Sequence, residues 1–533
     1  MSSEPFSPID TAWLRMEDPA NTMMITGIMV FGARIDWKRL RATIENRLLC
    51  FERFRQRAAR SVPSSPLGAP RAAWEDDPHF DLDWHLKRAA LPPPVNQAAL
   101  QNAASELMST QLDFSRPLWQ MHLVERYGKG SALIVRLHHC IADGIALVHV
   151  LLSLTDKTPD APWPAVPPQE TRNADPTDEF SPQVRSVIRL TQRLGREGLA
   201  ALDDPAYREK LARLGAESAL ALGRFVFRWP DPKTLFKGKL GLSKRAAWSK
   251  PLPLQQVKAV GRLVGGTVND VLLAAVAGAM GRYMREHGDA QRADGVQIRA
   301  VVPVNLRSLK VTPDLGNKFG LVFLTLPVGL ADPVERLREV KRRMDEIKST
   351  PEPVVVFGLM NLMGMVPSEI QDIAVDIFGA KGTAVMTNVA GPKKQLYLAG
   401  APLDMMMFWV PQSGRLGMGV SILSYAGRVW LGIATDEGLV PDPESIVQAC
   451  HAEFSSLSKA AQKKIERRNK AARPMIKAVD VAMGTVDELL RKDGKTGAVQ
   501  PSTVCQAKTR AGQPCKNRAR PGVEFCRVHQ KRE

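Results

Sequence analysis

The sequence predicts an α/β protein built from two sheet-containing halves, on three observations. Strand-like apolar runs alternate with helix-like amphipathic runs from the start to about residue 153. The same alternation returns between about Ser249 and Ser458. Between them, Asp156 to Pro182 carries seven prolines among acidic and small residues, a composition that suits a linker or crossover and not a core element.

Taken in order, Met23 to Phe31 (MMITGIMVF) reads as a strand and Asp36 to Cys50 as an amphipathic helix. Ala98 to Gln111 is another helix. Leu118 to Glu125 and Ala132 to His139 are apolar enough for strands in a covered sheet, and Ile145 to Leu154 has helical spacing. Past the prolines, Val184 to Leu202 and Tyr207 to Phe227 read as helices. The first sets Val184, Val187, Ile188, Leu190 and Leu194 against Arg185, Arg189, Arg193 and Arg196. Such a helix can lie on an anionic membrane, or on its own protein with the arginines in water. Thr267 to Glu286 is a strong helix pattern. Val296 to Val304, Gly320 to Val328, Ala384 to Val389, Leu416 to Ile422 and Val429 to Ala434 read as strands. The expected organisation is a first half at 1–155, a crossover with amphipathic helices at 156–248 and a second half at 249–458. A basic helical linker at 459–500 and a cysteine-bearing module at 501–533 follow.

A chain of 533 residues with 44% hydrophobic and 24% charged residues is globular and has ample material for a large core. No apolar run of about 18 residues suggests a transmembrane helix. Met1 to Asp10 contains Glu4 and Asp10 and lacks the features of a signal peptide, so the expected place is the cytoplasm or a membrane surface facing it. Three of the six cysteines, Cys50, Cys140 and Cys450, are scattered and three crowd the last 30 residues, which excludes a disulfide framework. The net charge of +18 is concentrated at the end: Lys459 to Glu533 holds 19 Lys and Arg against 7 Asp and Glu. That tail could contact anionic lipid or nucleic acid, or stay solvated.

The most informative stretch is Leu133 to Leu147, LIVRLHHCIADGIAL, with His138-His139-x-x-x-Asp143-Gly144. Successive strand side chains point to opposite faces, so His138 and His139 cannot share one pocket. Asp143 and Gly144 mark the turn into the next helix, glycine tolerating dihedrals that other residues avoid. One imidazole at the strand end, near its ordinary pKa of about 6.5, is a natural general base for an alcohol attacking a thioester. The same residues could instead bind a metal, with Asp143 as a third ligand, or belong to the core. Cys140 adjoins His139, but strand neighbours diverge, which weighs against a Cys–His nucleophile.

The HHxxxDG motif resembles that of the coenzyme A-dependent acyltransferase superfamily, which includes chloramphenicol acetyltransferase, carnitine acyltransferases and peptide-synthetase condensation domains. Further stretches are similar to the bacterial wax ester synthase/diacylglycerol acyltransferase family. They are Ser7-Pro8-Ile9-Asp10, FDLDWH at 80–85, Pro117-Leu118-Trp119, Thr267-Val268-Asn269-Asp270-Val271, Pro303-Val304-Asn305-Leu306-Arg307, Gly316-Asn317-Lys318-Phe319-Gly320 and Asn388-Val389-Ala390-Gly391-Pro392. The resemblance spans about residues 5 to 457.

It implies two chloramphenicol-acetyltransferase-like α/β sandwich halves with a tunnel between them. The implied activity moves a fatty acyl group from acyl-CoA to diacylglycerol or a long-chain fatty alcohol, with acyl-CoA a substrate and no catalytic cofactor. His139 would be the base and His138 its support. Asp143, beside Gly144, would hold the loop through a salt bridge, with Arg55 the first candidate partner and Arg307 the second. Asn269 and Asp270 would lie near the tunnel, Asn269 facing the thioester oxygen. Pro117, Leu118, Trp119 and Asp270 are candidate substrate-binding residues. Core packing for Trp119 and N-capping for Asn269 and Asp270 are the competing readings. A peripheral place on the inner membrane face or on lipid inclusions is expected.

The resemblance ends before the tail, where Cys505-x9-Cys515-x10-Cys526-x2-His529 supplies three thiolates and an imidazole, a full tetrahedral set for structural zinc. Nucleic-acid binding is the weaker expectation there, since Phe525 is the only aromatic among the basic residues. Two rivals to the lipid acyltransferase stand: an inactive acyltransferase-like adaptor binding membrane or nucleic acid through its basic tail, and an enzyme taking carrier-protein thioesters. Intact motif residues argue against the first, and the lack of a carrier domain in this sequence against the second.

Overall fold

Nine consecutive residues, Gly130–His138, are all buried, which places this strand inside a sheet with both faces covered. A computed structural model describes residues 3–60, 72–165, 227–307, 315–348, 350–364, 367–412 and 414–463, with isolated positions elsewhere. Residues Met1–Ala461 form one unit and Gln462–Glu533 another. The helices expected at 184–202 and 207–227, the cysteine module and the basic linker beyond its helical start at 459–463 lie outside the described residues, apart from isolated positions.

Strands are numbered along the chain. A small sheet has the order β1 (Ser3–Pro5), β4 (Ala72–Asp76), β3 (Gln56–Arg60). A six-stranded sheet runs β13 (Tyr397–Leu398), β14 (Ala401–Trp409), β2 (Met24–Phe31), β7 (Gly130–His138), β6 (Trp119–Tyr127), β5 (Leu86–Ala89). The seven-stranded sheet runs β11 (Phe319–Leu326), β10 (Ile298–Asn305), β12 (Ala384–Ala390), β15 (Met418–Tyr425), β16 (Arg428–Asp436), β8 (Lys244–Trp248), with β9 (Leu252–Pro253) also on β16. Strands β10, β12 and β15 are mutually parallel, so their C-terminal ends share one edge of the sheet.

Two strands depart from the expected division into halves. β8 lies in the segment read as crossover, yet pairs with β16. β14, from the second half, crosses to pair with β2, with Phe408 opposite Gly27 and Trp409 opposite Thr26. Glycine at 27 lets the Phe408 ring lie against the strand; a Cβ there would collide with that ring and force it to move. The two halves are therefore stitched together by backbone hydrogen bonds, and the larger apolar core runs from β7 into Leu321, Phe323 and Met360.

Local rules explain the helices near the site. Ser7 accepts from Asp10 N at 3.2 Å and caps Pro8–Arg15, with proline at the first position. Asp36 caps Trp37–Thr43, which continues as a widened turn, Ile44–Leu48. Val268–Glu286 buries most of its length, and its small residues let neighbours approach closely; a Cβ at Gly281 would lie 2.5 Å from Val328 O.

Candidate active site

Strand alternation separates the paired histidines, as the sequence predicts. The His138 amide donates to Leu118 O at 2.9 Å and the His139 amide to Met23 O at 2.8 Å, so both neighbouring strands fix the end of β7. The His138 ring accepts the Cys140 N–H on Nδ1 at 3.1 Å and places Nε2 3.5 Å from Glu17 Oε2. His139 stacks on Trp13, 4.2 Å between ring centres, and meets Phe319 at 5.7 Å. Trp13 belongs to the first helix and Phe319 opens β11, so this imidazole sits where the two large sheets meet.

His139 is 4% exposed, and its Nδ1 is buried without a hydrogen-bond partner. Burial pushes the ring's pKa down to about 4; Asp143 opposes that and His138 adds to it. The imidazole is neutral at neutral pH. Burial also raises the Cys140 thiol well above its ordinary range, which keeps it protonated and removes it as a nucleophile.

Asp143 joins the halves. Its Oδ1 accepts from Ala146 N at 3.0 Å, capping the helix Gly144–Leu154. Its Oδ2 accepts from Arg307 Nε at 3.0 Å and Lys318 N at 2.9 Å. The Asp143 amide and Arg307 Nη2 both donate to Gly316 O, at 3.1 and 2.6 Å. Arg307, the second candidate, is thus the ion-pair partner. Arg55 is not: it follows the short turn Glu52–Phe54 and its guanidinium folds back onto the Leu49 carbonyl. The arginine of that segment that reaches the motif is Arg53, which donates to Ile141 O at 3.0 Å and Asp10 Oδ2 at 3.3 Å.

Other expectations change with the packing. Gly144 is helical and outside the left-handed region, so the turn does not require glycine; a Cβ there would meet no atom within 4 Å. Pro117, Leu118 and Trp119 are buried. Trp119 stacks on His85 at 4.6 Å and donates Nε1–H to Phe54 O at 2.8 Å, so this stretch packs as core that seats β6 against β7. Asp270 closes a capping box, Oδ2 accepting from Thr267 N at 2.7 Å, while its Oδ1 is buried without a hydrogen-bond partner. Asn269 Oδ1 accepts from Asn388 Nδ2 at 3.1 Å, near the C-terminal end of β12. Arg307 follows β10 at that same edge, the side of such a sheet where ligands characteristically bind.

The sequence reading assigned no role to Trp13, Arg53, Asn317 or Phe319. Asn317 Nδ2 donates to both His139 O and Asp10 Oδ1, each at 2.8 Å. Asn317 and Phe319 lie inside the quoted GNKFG stretch, and Trp13 falls one helical turn after Asp10; that spacing is the signal that could have found it. Trp13 also lines a small apolar cavity of about 30 Å³ with Met16, Leu321, Met360, Met363 and Phe378. Among the described residues no group of three or more His, Cys, Asp or Glu could hold a metal, so the HHxxxDG residues do not converge as ligands. Cys505, Cys515, Cys526 and His529 lie outside the described residues. Also among the described residues, no helix is long and apolar enough to cross a membrane.

Known proteins resemble this chain over most of its length. Residues 6–272 match the wax ester synthase/diacylglycerol acyltransferase catalytic domain, and residues 315–458 the C-terminal domain of the same family. A Mycobacterium tuberculosis protein named "probable diacylglycerol O-acyltransferase tgs1" is 29% identical over 480 residues, covering 87% of this chain and 98% of that protein. The structure of the wax ester synthase/diacylglycerol acyltransferase from Marinobacter aquaeolei VT8 aligns with a TM-score of 0.59 at 22% identity, covering 86% of this chain and all of that one. The condensation domain of the Monacolin K polyketide synthase MokA aligns at 0.53 with 14% identity, over 87% of this chain and 98% of that one, a likeness of fold.

Proposed function

The chain belongs to the wax ester synthase/diacylglycerol acyltransferase family and is an acyltransferase, and from that premise we propose a single-displacement reaction centred on His139. An acyl-CoA and a lipid alcohol, either diacylglycerol or a long-chain fatty alcohol, meet at the seam between the halves. The neutral imidazole takes the hydroxyl proton as the oxygen attacks the thioester carbonyl. The C–S bond then breaks, and the imidazolium returns its proton to the departing thiolate, releasing ester and free CoA thiol. No covalent enzyme intermediate forms.

The observation that carries this reading is a single buried, neutral imidazole between an indole and a phenyl ring, where the two sheets meet. Exclusion of water there strengthens any donor aimed at the oxyanion. Asn269 is the proposed donor, or the group that places one. The side chains around the small cavity beside Trp13 are apolar, so a hydrocarbon chain entering there would have to widen it. Access through a channel between the halves, and work on the inner membrane face or on lipid inclusions, belong to the same proposal.

The test is purified protein with palmitoyl-CoA, offered hexadecanol and diacylglycerol in parallel, with thiol release followed. Thiol release dependent on one or both alcohols, and lost in His139→Ala, is the expected result. Turnover retained by His139→Ala would remove the base assignment. For the tail, structural zinc on Cys505, Cys515, Cys526 and His529 is proposed from spacing. Metal analysis of the reduced full-length protein against Cys526→Ser tests it, equal zinc in both being the contrary result.

A further inference from the structure

We propose that Asn317, held by Asp10, is a positioning residue that keeps the His139 proton on Nδ1 and so leaves Nε2 free to act as the base. The inference rests on the reading of His139 as general base. Asn317 Nδ2 uses both its hydrogens, on Asp10 Oδ1 and on His139 O, each at 2.8 Å. Both partners are acceptors, so the amide cannot be reversed without setting oxygen against oxygen. That orientation leaves Oδ1, which can only accept, buried and without a partner. His139 Nδ1 is likewise buried and unpartnered.

Two complementary buried groups thus stand open on residues already joined by a hydrogen bond, a state that favours closing the bond. Hydrogen bonds of this kind are often long without substrate and tighten when it binds. The motif carboxylate is not available for the task, since Asp143 is committed to Arg307, Lys318 N and Ala146 N. The rival acceptor for Nδ1–H is the carbonyl of His139 itself, which takes the Asn317 N–H on one lone pair and keeps the other open; an Asn317→Ser protein that keeps the wild-type tautomer would show that this carbonyl holds the proton instead. Asp10, fully buried and 3.3 Å from Arg53 Nη1, fixes which way the amide points. The nitrogen that carries the proton in an imidazole is set by the hydrogen bond the other side makes.

The test uses the full chain labelled with ¹⁵N-histidine, comparing wild type, Asn317→Ser and the isosteric Asp10→Asn, with melting curves as the folding control. Ring ¹⁵N shifts report the tautomer independently of activity. Wild type is expected to carry the proton on Nδ1. Asn317→Ser is expected to move population to Nε2–H and lower kcat by about tenfold or more, with little change in KM for acyl-CoA. Asp10→Asn should do the same to a smaller extent. A wild-type ring protonated on Nε2, or an Asn317→Ser protein with wild-type tautomer and kcat, overturns the proposal. Should Asn317→Ser not fold, the wild-type and Asp10→Asn spectra decide. A tautomer shift as expected, with His139→Ala still active, would instead sink the general-base reading and leave the positioning role standing.

Discussion

His138 and His139 are the same side chain one residue apart, and the two faces of β7 give them different chemistry. The His138 face offers Glu17 and the Cys140 amide, so that ring is tied into the turn. The His139 face offers Trp13 and Phe319, one from each half, so that ring loses water without gaining a close ionic partner. Burial, outweighing the opposing charge of Asp143, then fixes it neutral. The lesson is that the pair motif encodes a division of labour, and the walls on either side assign the tasks.

The largest way to break the contrast is His139→Ala, expected to lower kcat roughly 100- to 10,000-fold in the thiol-release assay. Equal losses in His139→Ala and His138→Ala would erase the division. Next comes the clamp that holds the His139 loop between the halves. Arg307→Met removes the guanidinium from this buried pair, and is expected to destabilise by about 3–5 kcal/mol in denaturant melts. Arg55→Met, by contrast, should stay within about 1 kcal/mol, since only a bond to the Leu49 carbonyl is lost.

Acid sharpens the comparison further. The folded pKa of His139, about 4, lies below its unfolded value of about 6.5. Between those values the unfolded chain binds a proton that the folded ring refuses, so stability falls as pH drops from about 6.5 to 4 and is not affected by this group above 7. His139→Gln should lose about 3 kcal/mol less than wild type across that window. The acid limb of kcat/KM attributable to this ring should likewise fall near 4, not near 6.5. The smallest effect is expected from His138→Asn, whose amide oxygen can accept the Cys140 N–H: about 1 kcal/mol in stability and less than tenfold in rate. A loss matching His139→Ala would show that His138 takes part in the chemistry.

What local rules govern was legible in the chain. The buried runs of β2, β6 and β7, the separation of His138 from His139, and the capped start at Thr267 all depend on side-chain alternation or on bonds spanning three or four residues. Tertiary structure alone chose between Arg55 and Arg307 for Asp143, the latter 164 residues away. It also carried β14 into the first sheet, buried Trp119 and set Trp13 over His139. Those outcomes turn on which distant segments share a core. Periodicity records only that a face is apolar, and never which partner will cover it.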